Sequence, residues 1–209
     1  TYWKQLGGMY GSQERETDQL VATEMVYMND QLTTESQVMS MAYMYLGAEV
    51  PYRAAKIIDK GMQDKIIEKN AKNFEVLGQA WWQAKNLESA LKSFESASKF
   101  SDTGEIQSRI ASIYLDLGKD KQAYKAAKKA AKKGEVKNAS TNYATMGSAL
   151  INLHCYKDAV KAFNQSVKAA KTKKAKRYPA QWIKFANAEG SRLQKLRDVG
   201  ATVPGCSKA

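Results

Sequence analysis

A pattern of seven residues recurs five times along this chain, and the recurrence restricts the possible folds more than any other feature. In the third copy the pattern consists of Phe74, Leu77, Gly78, Trp81, Ala90, Phe94 and Ala97. A large residue also occupies the fourth position of the other copies, at Tyr10, Tyr45, Tyr114 and Leu150. Together with Trp81, these positions follow one another at steps of 35, 36, 33 and 36 residues. A period of this length indicates an array of similar supersecondary units.

Each copy of the pattern predicts two α-helices joined by a short turn. Its apolar and small residues stand three or four positions apart on both sides of the turn, which is the spacing of one helix face. The first helices are predicted near 2–13, 35–47, 71–84, 104–117 and 139–153. The second helices are predicted near 16–29, 51–64, 87–99, 120–133 and 156–170.

The period and its small residues resemble those of tetratricopeptide repeats, and this resemblance implies an all-α fold. We expect a right-handed superhelical solenoid of about five helix-turn-helix repeats that ends in a capping helix. The repeats are predicted near 1–34, 35–70, 71–103, 104–139 and 140–173, followed by the capping helix at 175–199. These elements form one predicted domain over 1–199, and an irregular tail is expected at 200–209.

The small residues of the pattern explain why helical segments tolerate glycine. Gly78 and Gly147 occupy the third position, where we expect the first helix to approach its partner most closely. Glycine in a helix interior costs about 1 kcal/mol relative to alanine. Close packing offsets this cost, so a leucine at Gly78 is predicted to overpack the contact and to destabilise the fold by about 1–3 kcal/mol.

The charge of the chain is distributed unevenly. The net charge of the 209 residues is +12, and 44% of the residues are hydrophobic, which is typical of a packed protein rather than a disordered one. Residues 1–50 carry two basic and seven acidic groups, whereas residues 151–209 carry thirteen basic and three acidic groups. This polarity predicts an acidic partner or an anionic surface at the C-terminal end, although lysine-rich faces are most often simply solvated.

Three stretches resemble a narrower group of proteins. They are VPYRAAKIIDKGM at 50–62, IEKNAKNFEVLGQAW at 67–81 and AQWIKF at 180–185. They are similar to the tetratricopeptide accessory proteins of proteobacterial TonB energy-transduction systems. The resemblance implies a periplasmic protein whose partners are components of the TonB, ExbB and ExbD type. Because Thr1 lies inside the first repeat, we also expect further repeats before it in the full protein. A membrane anchor in that preceding segment is one candidate.

The sequence contains little that could support catalysis. His154 is the only histidine, and its neighbour Cys155 gives two zinc ligands where a site needs three or four. Adjacent side chains rarely converge as a nucleophile and its base. The sequence also has no phosphate-binding glycine loop and no hydrolase motif. We therefore predict a protein that is not an enzyme and that holds no cofactor or metal.

The two cysteines allow a more specific hypothesis. Cys155 is predicted in the turn of the fifth repeat, and the capping helix should end on the same side of the stack. The tail could then return Cys206 to Cys155 and form a disulfide, as an oxidising compartment would permit. Two free thiols remain the alternative, because sequence does not fix the distance between the Cα atoms.

In a tetratricopeptide solenoid, residues of the first helices line the concave groove that binds a partner. Applied to this sequence, the resemblance predicts a polar, nearly neutral groove that binds a protein or peptide segment. The predicted groove residues are Tyr43, Lys72, Glu75, Gln79, Trp82, Ser108, Arg109, Ser112, Asp116, Thr145, Ser148 and Asn152. Tyr43 and Trp82 are the candidate aromatic anchors, with packing of Trp82 against a neighbouring repeat as the alternative.

The lysines form a separate predicted surface on the convex side and near the cap. Its residues are Lys121, Lys125, Lys128, Lys132, Lys173, Lys174, Lys176 and Arg177. This surface supports an alternative function, in which the basic C-terminal half binds nucleic acid or an anionic membrane by charge. We disfavour nucleic acid because no aromatic stacking platform or base-reading motif accompanies the lysines.

Overall fold

The computed structural model describes residues 2–101 and 103–208, and these residues form eleven α-helices. The helices are α1 (Tyr2–Ser12), α2 (Glu16–Met28), α3 (Glu35–Gly47), α4 (Pro51–Gln63), α5 (Ala71–Gln83), α6 (Leu87–Phe100), α7 (Gly104–Asp116), α8 (Asp120–Lys133), α9 (Ala139–Asn152), α10 (Tyr156–Ala169) and α11 (Lys173–Asp198). Each lies within two residues of the helix that the repeat predicts. The predicted bounds at residues 1 and 209 lie outside the described residues.

Short-range signals explain where several helices begin. Thr34 caps α3 in a capping box, in which its hydroxyl accepts from Gln37 and the Gln37 side chain accepts from the Thr34 backbone. The side chains of Asn70 and Asn138 cap α5 and α9. Pro51 opens α4, where its missing N–H leaves no helical hydrogen bond unmade.

The turn inside each repeat uses one residue of left-handed backbone conformation. Glu14, Glu49, Lys85, Gly118 and His154 have φ between 57° and 67°, and they follow one another at the period of the repeat. Only one of the five is a glycine, although this conformation is costly for residues with a Cβ. The repeat therefore imposes its turn geometry even where the local residue disfavours it.

The helices form two compact units, an N-terminal unit of residues 1–100 and a C-terminal unit of residues 101–209. In the N-terminal unit, α3 packs against α4 and α4 against α5, with Met41 and Ile58 fully buried. In the C-terminal unit, α9 and α10 pack together and α11 covers both. Leu150 and Phe163 are at the centre of the latter core, and Trp182 of α11 stacks on the Phe163 ring.

The glycines of the repeat pattern make room for a phenylalanine ring. A Cβ at Gly78 would lie 2.8 Å from two ring carbons of Phe94, and a Cβ at Gly147 would lie 2.8 Å from the ring of Phe163. Both rings are fully buried. The close approach therefore joins the glycine of the first helix to the phenylalanine of the second. Ala90, one turn before Phe94 on α6, is also fully buried.

The C-terminal tail after α11 has no regular structure but is fastened to the C-terminal unit. Cys206 forms a disulfide with Cys155, with a Cα–Cα distance of 4.5 Å. The backbone N–H of Ser207 donates to the carbonyl of Leu153 at 3.0 Å, and Lys208 pairs with Asp158. The Lys208 ammonium lowers the pKa of the Asp158 carboxyl, as a paired cation should. The tail thus closes over the turn between α9 and α10.

Candidate functional site

A cleft opens in the C-terminal unit beside two helices that occupy first-helix positions, α9 and α11. Its volume is about 380 Å³, and we call it the α9–α11 cleft. It is lined by Leu115, Asn138, Ser140, Thr141, Ala144, Thr145, Ser148, Ser166, Ala175, Tyr178 and Pro179. Two predicted groove residues, Thr145 and Ser148, are among them. Most of the polar groups at its wall are hydroxyls, which can both donate and accept hydrogen bonds.

Hydrogen bonds hold the hydroxyls of this cleft in place. Ser140 and Ser166 each donate to the other's backbone carbonyl, at 2.9 and 2.8 Å, and so tie α9 to α10. The Ser148 hydroxyl lies 3.4 Å from the phenol oxygen of Tyr178, which joins α9 to α11. This long contact leaves both groups able to turn toward a bound segment, because a hydroxyl rotates to suit its partner.

Other predicted groove residues of this unit are engaged within the chain. Arg109 pairs with Glu105 at 3.2 Å, and the side chain of Asn152 donates to Asp120 at 2.8 Å. Ser112 lies within 3.5 Å of the Thr145 hydroxyl. Ser108 is only 8% exposed, so its side chain is buried and offers little surface to a partner. Asp116, at the end of α7, is exposed.

The groove residues of the N-terminal unit lie on α3 and α5. Tyr43 is 47% exposed on α3, and Lys72 is exposed in the first turn of α5. Glu75, Gln79 and Trp82 are half-buried farther along α5. The half-buried ring of Trp82 is compatible with both readings of that residue, a partner anchor and a packing contact.

Sequence reasoning missed the contribution of α11 to the cleft. The sequence predicts this helix from 175 onward, as a cap, and predicts no role for Tyr178. The structure starts α11 at Lys173, capped by Thr172, and places Tyr178 at the cleft wall. One sequence signal could have indicated this role. A helix that follows the second helix of a repeat takes a first-helix position, so an aromatic residue near its start is a candidate for the cleft wall.

A second cleft, which sequence reasoning did not predict, lies in the N-terminal unit among α2, α3 and α4. Its volume is about 760 Å³. At its wall the Glu24 carboxylate accepts from the phenol of Tyr45 and from Arg53, the latter at 2.8 Å. Burial raises the pKa of Tyr45, and Glu24 adds to the shift by accepting its proton. Because acidic and basic groups alternate around this cleft, its charge favours no one class of ligand.

The predicted basic residues are exposed on two helices of the C-terminal unit. Lys121, Lys125, Lys128 and Lys132 lie on α8, opposite its buried alanines, and Lys173, Lys174, Lys176 and Arg177 begin α11. This unit holds 22 basic and eight acidic residues, a net charge of +14. The N-terminal unit holds 11 basic and 13 acidic residues, a net charge of −2. The excess charge of the protein is therefore confined to one unit.

The side chains with the greatest chemical reactivity have structural partners. Cys155 is bonded to Cys206, and the exposed His154 ring lies 3.3 Å from the Tyr156 hydroxyl. Among residues 2–101 and 103–208, no three acidic, histidine or cysteine side chains converge in a way that could hold a metal ion. None of the helices in that part of the chain has the length and hydrophobicity needed to cross a bilayer.

Comparison with solved structures identifies the fold. The C-terminal part of a tetratricopeptide repeat-containing protein from Cytophaga hutchinsonii is similar, with a TM-score of 0.69 and 13% identity over 90% of this chain and 72% of that one. A crystal structure of MamA protein gives a TM-score of 0.66 and 16% identity over 80% of this chain and 90% of that one. No protein-family model and no curated protein matches the sequence. The predicted all-α tetratricopeptide fold is confirmed.

Proposed function

We propose that this protein is a non-enzymatic interaction scaffold that binds a polypeptide segment in the α9–α11 cleft. The observation that carries the proposal is the cleft itself, because Thr145 and Ser148 line it. The resemblance to tetratricopeptide proteins predicts both residues in the partner-binding groove. The hydroxyl-rich wall of the cleft suits the N–H and C=O groups of an extended chain. A bound segment would replace the long contact between Ser148 and Tyr178 with shorter hydrogen bonds of its own.

We further propose that the scaffold works in a bacterial envelope, as an accessory component of a TonB-dependent transport system. The three stretches at 50–62, 67–81 and 180–185 support this assignment by their resemblance to such proteins. The disulfide between Cys155 and Cys206 supports a periplasmic location, because disulfides persist in oxidising compartments and are rare in the cytosol.

Calorimetric titration with the periplasmic domains of TonB and ExbD from the source organism tests both parts of the proposal. We expect at least one of them to bind the protein. Ser148→Arg should weaken that binding at least tenfold, since a long cationic side chain would occupy the cleft and compete for Tyr178. Circular dichroism of the variant establishes that its helices are intact.

Ser191→Arg is the matched control, because Ser191 is an exposed serine of α11 that does not line the cleft. It adds the same side chain and charge, and it should leave the affinity unchanged. Equal binding by Ser148→Arg and the natural protein would contradict the cleft as the binding site. Failure of both domains to bind the natural protein would contradict the assignment to a TonB system.

A further inference from the structure

The last helix, α11, has a sharply divided surface. Pro179, Ala186 and Leu193 are buried at intervals of seven residues and form its inner line. Successive residues of a helix are about 100° apart, so Arg177, Lys184 and Lys195 lie about 140–160° around the helix from Pro179. All three are exposed. The line that points away from the C-terminal unit is therefore cationic, and we call Arg177, Lys184 and Lys195 the outer line of α11.

The outer line is not neutralised by the chain itself. Arg177, Lys184 and Lys195 form no ion pair with any of the residues that the structure describes. The acidic residues of α11 are otherwise engaged, since Glu189 pairs with Arg192 at 2.5 Å and Asp198 accepts from Gln194 at 2.8 Å. The outer line extends over about 27 Å, at a rise of 1.5 Å per residue.

More cations precede this line at the start of the helix. The segment 171–177, KTKKAKR, contains five lysines and arginines in seven residues, and all of them are exposed. Basic clusters of this density on a helix are typical of segments that bind acidic lipid headgroups. An aromatic ring lies at the side of this surface. Phe185 is 46% exposed, about 80–100° around the helix from the outer line, and it meets Trp182 edge-on at 5.3 Å between ring centroids.

We propose that the outer face of α11 docks on an anionic membrane surface and so holds the protein against a bilayer. Only small or polar residues, Gln181, Ala188 and Ser191, lie among these cations. Such a row suits a plane of negative charge, whereas another helical repeat would need an apolar face. Phe185 favours lipid over duplex nucleic acid. Its exposed ring can enter the headgroup region, where aromatic side chains are favoured, but a duplex backbone offers it no apolar contact.

Cosedimentation of the 209-residue chain with lipid vesicles tests the proposal. The expected result is binding to phosphatidylcholine vesicles that contain 30% phosphatidylglycerol, no binding to pure phosphatidylcholine, and loss of binding in high salt. The triple variant Arg177→Gln, Lys184→Gln and Lys195→Gln should weaken the partition roughly a hundredfold, since each cation near an anionic surface contributes about a fivefold factor.

Removal of three charges from α8 is the matched control. Lys125→Gln, Lys129→Gln and Lys132→Gln change the net charge equally but lie on another exposed helix face, so this variant should keep most of the binding. An equal loss in both triple variants would overturn the proposal, because the attraction would then depend on net charge alone. The proposal would also be overturned if the protein does not bind anionic vesicles. It would fail equally if a duplex DNA oligonucleotide displaces the protein from the vesicles through the same three residues.

Discussion

Adding a single methyl group at Gly78 should destabilise the N-terminal unit, although it raises the intrinsic helix propensity at this position. Alanine is favoured over glycine in a helix interior by about 1 kcal/mol. At Gly78, however, the new Cβ would lie 2.8 Å from Cδ2 and Cε2 of Phe94 and 3.0 Å from Cζ. Overpacking of this kind costs about 1–3 kcal/mol, so we expect the free energy of unfolding of Gly78→Ala to fall by as much as about 2 kcal/mol.

Gly7 provides the matched comparison, because it occupies the same pattern position in the first repeat. A Cβ there would meet the Cβ of Ala22 at 3.5 Å, an ordinary van der Waals distance. Gly7→Ala should therefore show only the helix-propensity gain and raise the free energy of unfolding by about 1 kcal/mol. The measurement is urea denaturation of both variants and the natural protein, followed by circular dichroism.

The phenylalanine supplies a second check on the same reasoning. In a Phe94→Leu background the ring is gone, so the added methyl group of Gly78→Ala should cost less than in the natural protein. A double-mutant cycle measures this difference as a coupling energy between the two positions. The packing account is refuted if Gly78→Ala stabilises the protein as much as Gly7→Ala does, or if the two mutations at 78 and 94 are simply additive.

Two further predictions follow from the tail and from α3. Cys206→Ser should destabilise the C-terminal unit by about 4 kcal/mol in the loop-entropy model, since the bridge spans 51 residues. Thermal melts with and without reductant check this. Only the natural protein should lose stability when reductant is added. Glu35 accepts from the backbone N–H of Glu68 and from Asn73, which lowers the pKa of its carboxyl below 4.5. The stability that this carboxylate contributes is present above pH 4.5 and is lost as the pH falls through the folded-state pKa. Between pH 6 and 3, the free energy of unfolding measured in urea should therefore fall less for Glu35→Gln than for the natural protein. Equal falls in the two proteins would count against this hydrogen-bonded carboxylate.

Much of the fold could be predicted because the repeat shows the same constraint five times. One copy such as Phe74, Leu77, Gly78 and Trp81 is a weak pattern, but five aligned copies fix the helix bounds within two residues. Pro51 adds precision at the start of α4, because a proline fits the first turn of a helix. Local spacing determines these features, and local spacing can be read from a sequence.

The amino-acid sequence by itself determined the helices, the repeat that they belong to and the position of the cationic faces, because each depends on residues a few positions apart. The tertiary structure decided that Phe94 and Phe163 pack on Gly78 and Gly147, that Cys206 reaches Cys155, and that Tyr178 meets Ser148 at a cleft. It also buried Ser108, which the pattern placed on an open face. Such contacts join residues far apart in the chain and depend on the angles and separations at which helices pack, which a one-dimensional pattern does not contain.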